Sequence, residues 1–440
     1  MPIERTAGLT AGVATMAVVL AMLASPIARQ PWLLPVSLAA VVGGGGILAQ
    51  ACRGRWWALN LLVGLLTVGI SLNFRDRPIG EVGLDLQNGS KLVVWSAVFG
   101  VAMIRLPAIG GLLRRFPMLC LLLYGAVAMA SSAWSPTPAY SFGCAFGLTA
   151  YLLFAAVVGE AMPTPEIIRP LTWWLGAFVL LSAISLPVLP DIALAPPDPL
   201  EPIRRLQGLS GQPNQLGHQM ASVILVMVVA AARRVTGPVR LAAIGLGAAV
   251  LLLATQSRSS ILAVAGALLI TLLRRRPLLW SAFLLLAVAL ALAAPDHGSD
   301  LLARVSRSGD KSEVMTLTGR TDIWSCILGK IAERPFFGYG FNATEAVMTK
   351  ECWTEASGAA FNAHSMILQC LFGVGLVGSL PLFLFFGWCF HQFLANPVLE
   401  RDLCFWAQMI SGLVEVDTFG GTPTMFTLIF LLLLCAVVRR

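Results

Sequence analysis

The sequence predicts an all-α polytopic membrane protein with about 12–14 transmembrane helices and one long extracytoplasmic loop carrying an amphipathic helix. Three observations point there. Of its 440 residues, 57% are apolar and 12% charged, and the mean hydropathy is +0.81. The apolar residues fall in continuous runs of the roughly 20 residues that a helix needs to cross about 30 Å of hydrocarbon. They do not alternate at period two, which excludes a membrane barrel. The only long polar interval runs from Asp296 to Ala363.

Taken in order, apolar segments centre near residues 17, 41, 65, 98, 125, 150, 180, 223, 247, 265, 286, 380, 411 and 431. The first, Leu9 to Ala24, has no convincing cleavage site and is followed by further spans, so it reads as a transmembrane helix and not a removed signal. The segment after Lys91 is short, and the one before Asp417 carries carboxylates. The organisation is a transmembrane bundle over 1–294 (about 11 spans), an extracytoplasmic loop over 295–363 and C-terminal helices over 364–440 (about 3 spans).

Orientation follows from lysine and arginine. With the N-terminus inside, about sixteen of the 30 basic residues fall in inside loops, among them Arg53, Arg55, Arg105, Arg114, Arg115, Arg233, Arg401 and Arg439. Outside the long interval only about seven face outward: Arg29, Arg75, Arg77, Lys91, Arg204, Arg205 and Arg258. The net charge of +8 therefore reflects topology and does not signal a nucleic-acid partner. The same bias places the long interval outside. Arg204 and Arg205 follow a proline-rich stretch, Pro196-Pro197-Asp198-Pro199, and precede a span beginning Asn214-Gln215-Leu216-Gly217. Arg258 sits in Thr255-Gln256-Ser257-Arg258-Ser259, a turn with almost no loop. Such an arginine either snorkels or faces a polar cavity.

Within the polar interval the periodicity predicts a helix over Thr321–Glu333, with Ile323, Trp324, Ile327, Leu328 and Ile331 on one face and Arg334-Pro335 ending it. Phe336-Phe337-Gly338-Tyr339-Gly340-Phe341 then combines turn-forming glycines with interfacial aromatics. Asn362-Ala363-His364-Ser365 stands at the boundary with the next span. The nine cysteines show no CxxC or Cys/His spacing, which argues against a metal site. Cys326 and Cys352 both lie in the polar interval and could pair if it is extracytoplasmic.

No soluble-enzyme motif is present. Of the four histidines, His364 alone stands where a polar outer segment enters a span. A neutral imidazole there can accept a proton from a hydroxyl, or it can simply cap or line the interface. Arginines on the same side can hold a pyrophosphate through charge-assisted hydrogen bonds, or anchor phospholipid. Glu415 and Asp417 sit near the outer end of the penultimate span, where an unpaired charge is costly. One of them serves as a base or, the reading favoured, salt-bridges an arginine. His218 and His391 read as packing or interface residues, and Trp56-Trp57 and Trp173-Trp174 as an aromatic belt.

At these residues the chain resembles the O-antigen ligase and Wzy-type polymerase superfamily. The strongest match is His364-Ser365, nine residues to Val374, then Gly375 and, two residues on, Gly378. Leu317-Thr318-Gly319-Arg320-Thr321-Asp322-Ile323-Trp324 and Gly338-Tyr339-Gly340-Phe341 resemble its exopolysaccharide-polymerase branch. Ser132-Ala133-Trp134-Ser135, the Gly208 to Asn214 turn and Gln256-Ser257-Arg258 extend the resemblance over about residues 120–390.

The resemblance implies a metal-independent, inverting glycosyltransferase of the GT-C type in the bacterial inner membrane, with no cofactor. Its site would face the periplasm. The donor would be a glycan on undecaprenyl pyrophosphate, and the acceptor either another lipid-linked repeat or lipid A-core. By motif position His364 is the base or acceptor-orienting group, Arg258 and Arg205 (or its neighbour Arg204) hold the pyrophosphate, and Arg320 places the loop or contacts sugar. Asn214, Tyr339 and Asn362 join them as substrate-binding candidates. A transporter or lipid-glycan flippase is the alternative. Against it, no paired Gly/Pro-broken segments recur in corresponding halves of the chain.

Overall fold

A computed structural model describes residues 33–73, 86–196, 204–274, 278, 320–354, 358–359, 361–416 and 418–439. The expected spans near residues 17 and 286, the interval before Arg320, and Asp417 lie outside the described residues.

The fold is all-α and polytopic, as the composition requires. Its helices are α1 (Leu33–Cys52), α2 (Trp56–Gly64, continued by a π turn, Leu65–Gly69), α3 (Leu86–Ile104), α4 (Leu106–Leu113), α5 (Phe116–Ala130), α6 (Pro138–Ala161), α7 (Thr164–Val188), α8 (Pro213–Ala232), α9 (Pro238–Ala254), α10 (Arg258–Leu273), α11 (Arg320–Glu333), α12 (Thr344–Glu351), α13 (Met366–Ala395), α14 (Leu399–Gly412) and α15 (Met425–Val438). A two-residue antiparallel pairing, β1 (Trp353–Thr354) with β2 (Gly358–Ala359), follows α12. Proline opens α4 to α9 within their first two positions, where a missing N–H costs nothing and φ is already helical.

Among the described residues, five helices are long and apolar enough to cross a membrane: 116–134, 138–161, 164–188, 213–232 and 366–395. α3 and α4 qualify together but bend by 88° at Arg105. That bend is why the short segment after Lys91 read ambiguously. Shorter apolar helices run over 56–69, 238–254, 258–273 and 425–438. α14, expected as a span, is not among the apolar helices, because its first turn buries Glu400, Arg401 and Asp402. These charges are paired locally: Arg401 forks onto Asp402 Oδ1 at 2.6 and 2.8 Å, Asp402 accepts from Val398 N, and Glu400 Oε1 pairs with Arg233 at 2.7 Å, leaving Oε2 without a partner among the described residues. A buried charge survives only with such partners.

The two ends of the bundle differ. At one, arginines of the expected inside loops close helix ends. Arg115 donates to Val438 O and Arg439 O, Arg439 to Gly159 O and Arg169 to Val235 O. At the other, α11 and α12 form a cap joined by a Cys326–Cys352 disulfide with Cα atoms 6.0 Å apart. α11 ends at Glu333 as its periodicity predicts, and buries Ile323 and Ile327 in a core with Tyr339, Met348 and Phe372, while Leu328, expected on the same face, is exposed.

The cap is inlaid into α13. At Gly375 the helix leaves α geometry (φ 67°, ψ −173°), roughly 14 Å below its start at 1.5 Å per residue. The freed groups pair with segment 335–340: Tyr339 N and Gly340 N donate to Phe372 O and Gly373 O at 2.9 and 2.7 Å, while Leu376 N and Val377 N donate to Pro335 O and Phe336 O at 2.8 and 3.1 Å. Backbone at membrane depth tolerates a break only when protein satisfies it in this way. The glycines have a steric reason. A Cβ on Gly338 would lie 2.4 Å from Phe372 O, and one on Gly375 2.3 Å from the Phe336 carbonyl carbon. Beside the seam, Phe336, Phe337, Leu376 and Val377 are exposed, and Trp134 donates to Phe337 O.

Candidate active site

At the cap end, Glu415 is a hub. It follows α14 in a short turn, and its carboxylate is buried. Oε1 accepts from Arg320 at 2.7 Å and from Asn214 Nδ2 at 3.0 Å. Oε2 lies 3.8 Å from His364 Nδ1. Arg320, the first residue of α11, also donates to Val414 O. Asn214, in the first turn of α8, passes the chain on: its Oδ1 accepts from Arg205 at 2.6 Å, and Arg205 Nε donates to Thr255 O at 2.9 Å. One network thus joins the entry to α8, the end of α9, the cap, α13 and the 413–424 turn.

Burial opposes ionisation of Glu415, but the facing His364 imidazole, Arg320 and His218 outweigh it and hold the carboxyl at about 2. Glu415 is therefore a fixed anion at every physiological pH and a feeble base.

His364 is held in an unusual backbone state, φ +43°. A non-glycine residue in the left-handed region is strained and persists only where its surroundings enforce it. Here three side chains do so. Asn362 Oδ1 accepts from His364 N at 2.8 Å, Gln369 Oε1 from Ala363 N at 3.0 Å, and Trp324 Nε1 donates to Ala363 O at 3.0 Å. Nδ1 is buried and has no hydrogen-bond partner among the described residues, facing the Glu415 carboxylate. Nε2 is the imidazole's second nitrogen, left for other chemistry.

Arg258 is the first residue of α10, after Gln256 in the left-handed region (φ +51°). Its turn packs on the start of α8 so closely that a Cβ on Gly217 would lie 2.6 Å from Ser257 Cβ. Thr255, which receives Arg205, begins the same turn. The structure thus gathers Arg205, Asn214, Arg320, His364 and Asn362 into one network, and sets the Arg258 turn against it.

It does not bring in two of the expected residues. Arg204 is exposed and closes its own loop, donating to Ala195 O at 2.9 Å. Of the arginine pair, Arg205 is the one in the network. Tyr339 stacks on Phe372, and its hydroxyl donates to Glu333 at 2.6 Å, at the opposite end of α11 from Arg320. Burial and the adjacent Glu333 raise it to about 12. Its turn serves the seam with α13.

Glu415 shows the salt bridge that the cost of an unpaired carboxylate favours. His218 is close enough for its charge to act on Glu415, where sequence reading gave it a packing role. Trp324 and Gln369 were missed as supports for His364. Trp324 sits among the apolar positions of α11 in the sequence, with nothing to mark a donor.

The chain is thus a polytopic all-α membrane protein with a buried carboxylate held between an imidazole and the Arg320 guanidinium at one end of its bundle. Residues 241–383 match the family model described as O-antigen ligase, about a third of the chain, including Arg258, Arg320, Tyr339, Asn362, His364 and Gly375. The match supports assignment to the O-antigen ligase and Wzy-type superfamily, and with it membrane glycosyltransferase activity of ligase or polymerase type. No curated protein matches the chain.

Proposed function

We propose that the chain transfers a glycan from a lipid pyrophosphate to a sugar hydroxyl at the cap end of the bundle, with His364 as general base. The observation that carries this reading is the ionised Glu415 between Arg320 and His364 Nδ1. A carboxylate facing Nδ1 favours the tautomer with its proton there, which leaves Nε2 as the acceptor. In the reaction, Nε2 takes the hydroxyl proton as the acceptor oxygen bonds to the anomeric carbon. The carbon–oxygen bond to pyrophosphate breaks from the opposite face, so the anomeric centre inverts. The charge that develops on the leaving pyrophosphate falls to the arginines at this end, Arg258 and Arg205.

Undecaprenyl pyrophosphate fits as carrier, with the cap end facing the periplasm of a bacterial inner membrane. The disulfide supports that side, since such bonds persist in oxidising compartments. Resemblance of the Leu317–Trp324 and Gly338–Phe341 runs to exopolysaccharide polymerases favours a lipid-linked repeat as acceptor over lipid A-core.

The test is purified protein given undecaprenyl-pyrophosphate oligosaccharide in the presence of EDTA. Release of undecaprenyl pyrophosphate with chain growth is expected, and loss of both in His364→Ala and Arg258→Ala. Full turnover in both variants overturns the assignment. Movement of substrate between leaflets with its lipid linkage intact would make the protein a transporter. Offering lipid A-core as the acceptor separates ligase from polymerase.

A further inference from the structure

His364 and Glu415 face each other at 3.8 Å although they belong to different segments, the turn before α13 and the turn after α14. Both turns are docked on one side chain, Gln369, which lies near the start of α13 and is fully enclosed. Its Oε1 accepts from Ala363 N, the amide just ahead of His364, at 3.0 Å. Its Nε2 donates to the hydroxyl of Thr344, a buried residue that opens α12 of the cap. Its aliphatic stem lies under the Glu415 turn, where a Cβ on Gly420 would come within 2.8 Å of Gln369 Cγ. The same turn is fitted closely on either side. A Cβ on Gly412 would lie 3.1 Å from Met366 Cε, and one on Gly421 3.3 Å from Asn342 Oδ1, two residues before Thr344. The cap, the His364 turn and the Glu415 turn therefore meet at a single buried glutamine.

Each of these contacts bears on where the imidazole stands. The left-handed backbone of His364 persists only under constraint, and the peptide ahead of it is held at both ends: Gln369 takes the Ala363 N–H and Trp324 of α11 donates to the Ala363 carbonyl. Loss of the amide of Gln369 would leave Ala363 N buried without an acceptor and free the turn to relax. A general base works only within hydrogen-bond reach of its proton, and a displacement of about 1 Å can cost about 10²-fold in rate. We propose that Gln369 is a positioning residue for His364, and that its bond to Thr344 makes seating of the cap a condition for aligning the imidazole. The proposal rests on the general-base role given above to His364, and Gln369 acts through that residue and not on substrate.

The test compares Thr344→Val with Thr344→Ser in the purified full chain, with undecaprenyl-pyrophosphate oligosaccharide as substrate. Valine removes the acceptor of Gln369 Nε2, and serine keeps it. In Thr344→Val kcat should fall about 10–100-fold with KM for the donor within about twofold, and Thr344→Ser should restore it. Gln369→Met keeps the stem under Gly420, removes both bonds and should lose at least as much; Thr344→Val decides alone if that variant does not fold. In a His364→Ala background, Thr344→Val should change the residual turnover by less than about twofold, because no imidazole is left to align. An equal fractional loss in both backgrounds makes the contacts merely structural and overturns the proposal. Native kcat in Thr344→Val, with His364→Ala inactive, overturns it alone. Full turnover in His364→Ala overturns the general-base reading, and this proposal falls with it.

Discussion

Glu415 carries the sharpest pH signature in the molecule. A carboxyl with a depressed folded pKa contributes stability above its unfolded value, near 4.5, and loses it as pH falls through about 2. Thermal unfolding in detergent should therefore weaken between those pH values in the native chain, and Glu415→Gln should lack that slope. At neutral pH the same variant leaves the half-buried Arg320 without its anion and should lower the unfolding temperature. His364 separates function from stability differently. His364→Gly relieves a left-handed residue and should unfold no earlier than the native chain, and about 1 kcal/mol later than His364→Ala, while turnover falls about 10²–10⁴-fold in both. A glycine variant as active as the native chain would remove the imidazole from the chemistry. His364 and Arg320 were legible because rare residues at an outer boundary need a reason to be there. Gln369 was not, since a glutamine inside an apolar run shows no partner until the fold brings Ala363 N to it.

At the scale of elements, the break in α13 explains more of the sequence pattern than any single side chain. The spacing from His364 to Gly375 sets the length of helix between the strained turn and the seam, and Gly338 and Gly375 are the two sides of that seam. Sequence reading took Gly338 and Gly340 as tight-turn glycines and α13 as an unbroken span. The seam was hidden because its partners are backbone groups, which every residue carries. Gly375→Ala places a Cβ against Phe336 at φ +67° and should lower the unfolding temperature by more than an Ala substitution at Gly387, which has nothing within 4 Å. The disulfide acts on the same unit. Replacing Cys326 and Cys352 by serine should cost about 2–4 kcal/mol and speed tryptic cleavage at Lys330, with the break in α13 unaffected.

For the whole molecule, charge bias sorted the ends before any coordinate did. Arginines of the expected inside loops meet around Val438, Gly159 and Val235, and the network of Glu415 forms at the other end. The number of spans was less legible, because α4 and α14 are helices in the bundle without being apolar enough or straight enough to cross it alone. In spheroplasts, a membrane-impermeant maleimide should label a cysteine placed at Leu328 on the cap, and should leave one at Arg114 unlabelled until the membrane is opened. The reverse pattern would invert the orientation and move the proposed chemistry to the cytoplasm.

The seam also bears on how the chain is made. In an unbroken helix the Leu376 and Val377 amides would bond to the Phe372 and Gly373 carbonyls, and the seam exchanges those two bonds for four to the 335–340 segment. The 335–340 segment is synthesised before α13. The cap therefore sets the break in the span that follows it, and a chain lacking the cap should carry α13 as an unbroken helix.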